Sequence, residues 1–325
     1  MKILVTGATG VLGKCLVREL LANDHDISLL VRDSAKLPPE LAQNCEVLAG
    51  DILLYNLGLS ADKKWDFDAV YHLAGIVKLD SKHHAELFKV NTGGTLSTLN
   101  FVLNNDIPHI YYVSTSYVDR VESGVAPRNS YEWSKYWAEQ IVREFAKGFA
   151  GLHPPIKATI FRPSILIEDP NQDHISLQGF NQFVRTVARI HRRVEIVRRK
   201  IEGTLRLPVI EPLFRIHGNP EGKMNLVLVS EVAAAMANIN KTGTFYLTNP
   251  DPPVLKELQE WVGQELLMKI RIQDKFKSTP IEGLFARMMR SFIPYFEGDN
   301  LPSDMQSSGI DSEIIRGVAK KVCLA

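Results

Sequence analysis

The sequence predicts an α/β protein built on an open, doubly wound parallel sheet, with a smaller and mainly C-terminal second region. Three observations predict it. Short β-branched runs alternate with longer helical patterns through the first half of the chain. Those runs are apolar without a polar alternate, as parallel strands covered on both faces require. A glycine-rich turn joins the first run to the first helical pattern, which is the ligand-binding junction of such sheets.

The strand candidates are Ile3 to Thr6, Ile27 to Val31, Glu46 to Leu48, Ala69 to Leu73, Ile110 to Ser114 and Thr159 to Arg162. Alternation with helical stretches such as Leu12 to Leu21 predicts βαβ units. After Arg162-Pro163 the regularity fails: Asp169 to Asp173 reads as a loop, followed by a basic helical stretch from Phe180 to Lys200. Met224 to Val229, Ser230 to Ile239 and Thr244 to Thr248 read as a further strand, helix and strand. Asn249-Pro250-Asp251-Pro252-Pro253 breaks the chain before an amphipathic helix at Leu255 to Leu267. The predicted division is a Rossmann sheet domain over 1–167, rejoined by 223–249, and a substrate-binding region over 168–222 and 250–325.

Composition narrows the classes. The 325 residues are 45% hydrophobic and 23% charged, the balance of an ordinary globular protein. Lys+Arg at 38 against Asp+Glu at 37 leaves a net +1, so no global field draws the chain to nucleic acid or an anionic membrane. Cys15, Cys45 and Cys323 lack the spacing of a disulfide framework or a metal site, which fits a reducing cytoplasm and predicts no metal. No stretch approaches the ~18 apolar residues of a membrane span.

Glycines at 7, 10 and 13 follow the first strand and open the first helix, in Gly7-Ala8-Thr9-Gly10-Val11-Leu12-Gly13. Glycine lets the backbone turn tightly and approach a pyrophosphate, which then meets free N–H groups and the positive end of a helix dipole. The loop therefore predicts a dinucleotide cofactor. At the end of the second strand, where a carboxylate would accept bonds from a ribose 2′-hydroxyl, stand Val31 and Arg32. Arginine there suits the 2′-phosphate of NADP, favouring NADP(H) over NAD(H); the alternative is a solvated Arg32 with Asp33 on the hydroxyls. Asp51, followed by Ile52, is placed either to meet the adenine amino group or to cap a helix. Leu73-Ala74-Gly75 ends a strand in small residues against which a ligand can lie.

Tyr131 and Lys135 stand four apart, on one face of a helix. A free phenol, with a pKa of ~10, is a poor acid–base group at neutral pH, but a nearby ammonium and a cationic nicotinamide favour the phenolate. The pair can then move a proton to or from a carbonyl oxygen. Thr115, or Ser116 in its stead, ends the preceding strand and offers a hydroxyl to the reacting oxygen.

Together these pieces resemble the extended short-chain dehydrogenase/reductase superfamily, of the NAD-dependent epimerase/dehydratase type. The matching residues are Thr6 to Gly13, Asp51-Ile52, His72 to Gly75, Asn91, Ser114-Thr115, Tyr131 with Lys135, and Arg162-Pro163-Ser164. The resemblance implies that Thr115, Tyr131 and Lys135 are catalytic and that Lys135 also holds the nicotinamide ribose. It further implies cofactor contacts from Asn91 and from Arg162, Pro163 and Ser164, which border the nicotinamide. Val113 to Val118, Phe161 to Ile165 and Gly222 to Ala233 resemble the fatty acyl and carrier-bound thioester reductase branch. One departure is Ser230 or Glu231, where relatives carry Asp.

The leading expectation is an NADP-dependent reductase acting on a small-molecule aldehyde, ketone or acyl thioester of coenzyme A or a carrier protein. The alternatives are a nucleotide-sugar epimerase or dehydratase with tightly bound NAD, and a non-catalytic NADP-binding regulator. Arg189, Arg192, Arg193, Arg198, Arg199 and Lys200 read either as a solvated helix face or as a site for phosphates or a carrier surface. Met288, Met289 and Met305 with Phe285, Phe292 and Phe296 read as core or as an acyl pocket. A homodimer through the helix bearing Tyr131 and Lys135 is the expected assembly.

Overall fold

In the computed structural model, which describes residues 1–148, 153, 155–172, 179–205 and 213–324, the chain divides into two units. Unit 1 comprises Met1–Ser164, Val229–Thr248 and Ser303–Met305; unit 2 comprises Ile165–Leu228, Asn249–Pro302 and Gln306–Ala325.

Unit 1 begins with β1 (Lys2–Thr6), α1 (Val11–Ala22), β2 (Asp26–Val31), α2 (Pro39–Asn44), β3 (Glu46–Ala49) and β4 (Ala69–His72). Next α3 (His84–Leu87) runs through a π-helical turn at Phe88–Gly93 into α4 (Gly94–Asn104). β5 (His109–Val113), α5 (Val118–Glu122), α6 (Ser130–Ala146) and β6 (Lys157–Pro163) follow. The chain then forms β7 (Ile165–Ile167), α7 (Phe180–Leu205), β8 (Leu213–His217) and β9 (Leu226–Leu228) in unit 2, and returns to unit 1 for α8 (Val229–Asn238) and β10 (Gly243–Leu247). Unit 2 ends with α9 (Leu255–Leu266), β11 (Lys269–Gln273), α10 (Pro280–Met288) and α11 (Ser312–Leu324).

Seven strands form one parallel sheet in the order β10-β6-β5-β4-β1-β2-β3. It is the Rossmann arrangement. The order reverses at β1, where Ile3 pairs with Ile27 on one side and Ala69 on the other, opening a crevice at the carboxyl ends of β1 and β4. Ile3, Leu4 and Val5 are fully buried because helices cover both faces. Leu4, Val70, Ile110 and Ile160 of the sheet pack with Leu99 and Val102 of α4 and Ala138 and Val142 of α6. Edge strand β10 is covered by Asp304, whose N–H donates to Tyr246 O at 2.9 Å and whose carboxylate accepts from Tyr246 N at 2.7 Å.

Of the 223–249 stretch, α8 and β10 lie in unit 1, whereas β9 pairs with β7 in a two-stranded parallel sheet of unit 2. α8 starts at Val229, immediately before Ser230 and Glu231. In unit 2, Phe183 meets Phe285, Phe292 and Phe296 in one aromatic cluster. Those rings and Met289 are buried core, whereas Met288 is 59% exposed. Among the described residues no helix is long and apolar enough to cross a membrane, and no group of side chains could hold a metal ion.

Candidate active site

The glycine loop is shaped by two close approaches. Gly7 has φ +81°, and a Cβ there would lie 2.6 Å from Ala74 N; a Cβ on Gly13 would lie 2.2 Å from Gly7 O. Side chains are thus excluded at both. Gly10 is different: it is the N-cap of α1 without a side-chain cap, and a Cβ on it would meet only Gly7 O, at 3.3 Å. The first-turn N–H groups of α1, at Val11 and Leu12, are left for a ligand, and no acid stands in that turn to oppose an anion. Beneath the loop, Thr6 Oγ1 bonds His72 Nδ1 at 2.8 Å and accepts from Ala74 N at 3.3 Å, pinning Leu73-Ala74-Gly75 to the loop that carries Thr9. His72 stays neutral, since burial and the charge of Lys135 hold its pKa down at about 3.

Further along the crevice, partners decide what each predicted side chain can offer. Arg32 is exposed at the end of β2, with no ion pair to a described carboxylate. Asp33 is occupied: it accepts from Ala35 N at 3.1 Å and pairs with Lys36 at 3.7 Å. Asp51 Oδ1 accepts from Leu53 N at 2.9 Å, so it shapes a turn and caps no long helix. Ile52 is buried, packed so closely on α4 that a Cβ on Gly94 would lie 2.4 Å from its Cδ1. Asn91, buried in the π-helical turn, holds Ile76 N at 2.8 Å, Ile76 O at 3.0 Å and Ser134 Oγ at 3.0 Å. Its amide thereby ties the strand-end segment carrying Gly75 to α6.

Asn129 caps α6, accepting from Glu132 N at 3.0 Å, and so starts the helix one residue before Tyr131. Thr115 neighbours Tyr131 closely enough to lower its phenol. Thr115 also reaches Pro163 O at 3.4 Å, while the buried Ser116 hydroxyl has no partner, as is true of Ser164. These two orphaned hydroxyls lie at neighbouring strand ends, linked by Ser116 N to Pro163 O at 2.9 Å, and suit a polar ligand. Lys135 Nζ donates to Val113 O at 2.5 Å and lies 4.4 Å over the Tyr112 ring. Burial draws the Lys135 ammonium down to about 7 against the raising charge of Glu139. Burial pushes the Tyr131 phenol up to about 12 although Thr115 lowers it, so without a cationic nicotinamide beside it the phenol holds its proton at neutral pH.

Arg162 is 1% exposed and does not turn its guanidinium to the crevice. Nη2 and Nε bind Glu139 at 2.6 and 3.2 Å, Nη2 also meets Glu122 at 2.7 Å, and Nη1 reaches Tyr246 Oη at 2.5 Å. What this segment can offer a cofactor is the backbone of Arg162 and Pro163 and the hydroxyl of Ser164. The acids around Arg162 went unremarked in the sequence, although Glu139 continues the Tyr131, Lys135 spacing by one more turn.

The basic run also has a structural setting. Arg185, Arg189 and Arg192 of α7 line a cavity of about 430 Å³ with Leu266 at the end of α9 and Cys323 at the end of α11. Cations beside two helix C-termini are stabilised by the helix dipoles. Arg193, Arg199 and Lys200 are exposed, and the side chain of Arg198 lies outside the described residues.

The chain is similar to several known proteins. A putative dihydroflavonol 4-reductase of Synechocystis is 30% identical over 153 residues, covering 42% of each chain. A polyketide synthase-nonribosomal peptide synthetase of Aspergillus flavipes is 29% identical over 185 residues, 50% of this chain and 4% of that one. The chain thus spans less than half the length of these relatives. Among solved structures, the UDP-glucose 4-epimerase of Thermotoga maritima aligns with a TM-score of 0.66 at 17% identity, covering 99% of this chain and 97% of that one. That of Thermus thermophilus, in complex with NAD, gives 0.62 at 17% identity over 99% of both chains. The fold is therefore that of the extended short-chain dehydrogenases/reductases. With residues 5–203 matched by its model, the chain belongs to the NAD-binding family described as Male sterility protein.

Proposed function

We propose that the protein is an NADP-dependent oxidoreductase that reduces a carbonyl of an aldehyde, a ketone or an acyl thioester carried by coenzyme A or a carrier protein. The observation that carries this reading is Tyr131 on α6, with Thr115 as its neighbour and the buried Lys135 one helical turn later. A phenol that keeps its proton is in the state a reduction needs. The exposed Arg32, beside an Asp33 already spent on a turn, favours the 2′-phosphate of NADP. Similarity to a dihydroflavonol reductase and to a polyketide synthase-nonribosomal peptide synthetase supports a ketone or a carrier-linked acyl group.

When bound, NADPH supplies the hydride. Gly7, Gly10 and Gly13 would hold its pyrophosphate at the N-terminus of α1, and Ser164 and the Pro163 backbone would lie at its nicotinamide. Thr115 donates a hydrogen bond to the substrate oxygen and fixes it against Tyr131. Tyr131 gives its proton to that oxygen as the carbonyl carbon is reduced, and the Lys135 ammonium stabilises the phenolate left behind. A proton from solvent then restores the phenol; with a thioester, the hemithioacetal so formed breaks its C–S bond and releases the thiol and the aldehyde.

The test is loss of NADPH absorbance with panels of acyl thioesters, aldehydes and ketones. At least one panel should turn over, and Tyr131→Phe should lower the rate by about 10²- to 10⁴-fold while leaving NADPH affinity unchanged. Absence of turnover on every carbonyl, with NAD released on denaturation and tight binding of a nucleotide sugar, would overturn the reading in favour of an epimerase.

A further inference from the structure

A buried ammonium needs a counter-charge, because its transfer from water is costly unless an anion compensates. The direct contacts of Lys135, the carbonyl of Val113 and the face of Tyr112, are not anions. The ionisable groups around it are Glu139 on α6 and His72 on β4, which act on its charge, Tyr112 on β5, whose ring it faces, and Tyr131, one turn earlier on α6. Both phenols keep their protons at neutral pH and His72 is uncharged, which leaves Glu139 as the anion. It stands one turn beyond Lys135 on the same helical face and is fully buried.

Glu139 is held from the far side. Arg143 binds it at 2.7 and 3.0 Å, and Arg162 binds it at 2.6 and 3.2 Å. Although burial pushes the Glu139 carboxyl up, these guanidiniums hold it below its ordinary value. Arg162, on β6, also binds Glu122 at 2.7 Å and Asp119 at 3.6 Å, both on α5, which begins three residues after Thr115. Tyr246 of β10 completes the set, donating to Asp119 at 2.6 Å. Three cations, Lys135, Arg143 and Arg162, are thereby balanced by three carboxylates, Asp119, Glu122 and Glu139.

We propose that Glu139 is a positioning residue of the active site: it supplies the counter-charge of the buried Lys135 ammonium, and Arg162 fixes it there while tying together the elements that carry Thr115 and Tyr131. The proposal rests on the reading of Lys135 as a catalytic group. Without the carboxylate charge, burial acts on the ammonium unopposed, and Lys135 releases its proton at lower pH.

The experiment compares wild type, Glu139→Gln and Glu122→Gln by the pH profile of kcat and by trace acetic anhydride labelling of Lys135 across pH, read by peptide mass spectrometry. In Glu139→Gln both the alkaline limb of kcat and the labelling midpoint should move down by about one pH unit. Glu122→Gln breaks an ion pair to the same guanidinium away from Lys135, so it should lower stability and leave both midpoints in place. Equal labelling midpoints in wild type and Glu139→Gln overturn the proposal, as does an equal shift in Glu122→Gln. A shifted midpoint in a protein that reduces no carbonyl keeps the electrostatic role and sinks the reductase reading. Should Glu139→Gln fail to fold, Glu139→Asp draws the charge back by one methylene and must still lower the midpoint; an unmoved one overturns the proposal.

Discussion

Arg32 and Asp33 are neighbours in sequence, yet their partners separate what they can do. Asp33 spends one oxygen on Ala35 N and pairs with Lys36, while Arg32 extends from the end of β2 without an ion pair to a described carboxylate. Arg32→Ala should therefore weaken NADPH binding by about tenfold or more, since a hydrogen bond to a charged group is worth ~1.5–3 kcal/mol. NADH, lacking the 2′-phosphate, should bind wild type and variant alike. Calorimetric titration with both nucleotides checks this, and an equal loss for the two would refute a phosphate contact. Residue types with a fixed spacing were legible in the sequence: the glycines at 7, 10 and 13, and Tyr131 with Lys135 on one helix face. Protonation states were not. An ammonium four residues away argues for a phenolate, but burial, which depends on everything packed around α6, raises the Tyr131 phenol instead.

At the level of the element, the joint between β1 and α1 depends on Gly13 being seated against Gly7 O, where any Cβ would lie 2.2 Å away. Gly13→Ala must push the start of α1 outward, against a helix that buries Leu12, Leu16, Val17 and Leu20. Overpacking of this kind costs about 1–3 kcal/mol and shifts the N–H groups offered to a pyrophosphate. The expected outcome is a lower urea midpoint together with weakened NADPH binding; retention of both would show that the loop tolerates the methyl group. The long strands were legible because a short, continuous apolar run bounded by turn residues suits a strand covered on both faces. β7 and β9, three residues each, carry no period of their own, and only their mutual pairing from Ile165↔Leu226 to Ile167↔Leu228 defines them. Arg162 was misleading for a related reason: a strand puts successive side chains on opposite faces, and the sequence does not tell which face looks at the ligand. Its partners come from residues 119, 122, 139 and 246, brought together only by the fold.

Across the whole molecule, buried titratable groups set how stability follows pH. His72 and His109 in unit 1 are held at about 3 and about 4, both chiefly by burial, against an ordinary value of 6.5. Below pH 6.5 the unfolded chain gains protons that the folded one refuses, so stability falls as pH drops through the window from 6.5 to about 4. Each histidine contributes a slope of up to about 1.4 kcal/mol per pH unit there. Lys135, at about 7 when folded and 10.5 as an ordinary amine, acts in the same sense at higher pH: stability rises with pH between those values. Tyr131, raised to about 12, reverses the trend above pH 10, because the folded state then keeps a proton the unfolded chain has lost. In unit 2, burial pushes the Glu282 carboxyl up, but bonds from Arg215 and Thr279 bring it down to about 2, so its contribution is lost only as pH falls below 4.5. The stability of unit 1 should accordingly decline on acidification while Glu282 still supports unit 2. Urea midpoints followed by hydrogen exchange of peptides from each unit, at intervals from pH 4.5 to 6.5, test this. The unit 1 midpoint should fall steadily, and His109→Gln, which removes one of the protons refused by the buried histidines and leaves its partner Thr159 an amide to bond, should flatten the slope. A unit 1 midpoint that does not change over that range would mean that His72 and His109 are not held neutral in the folded protein.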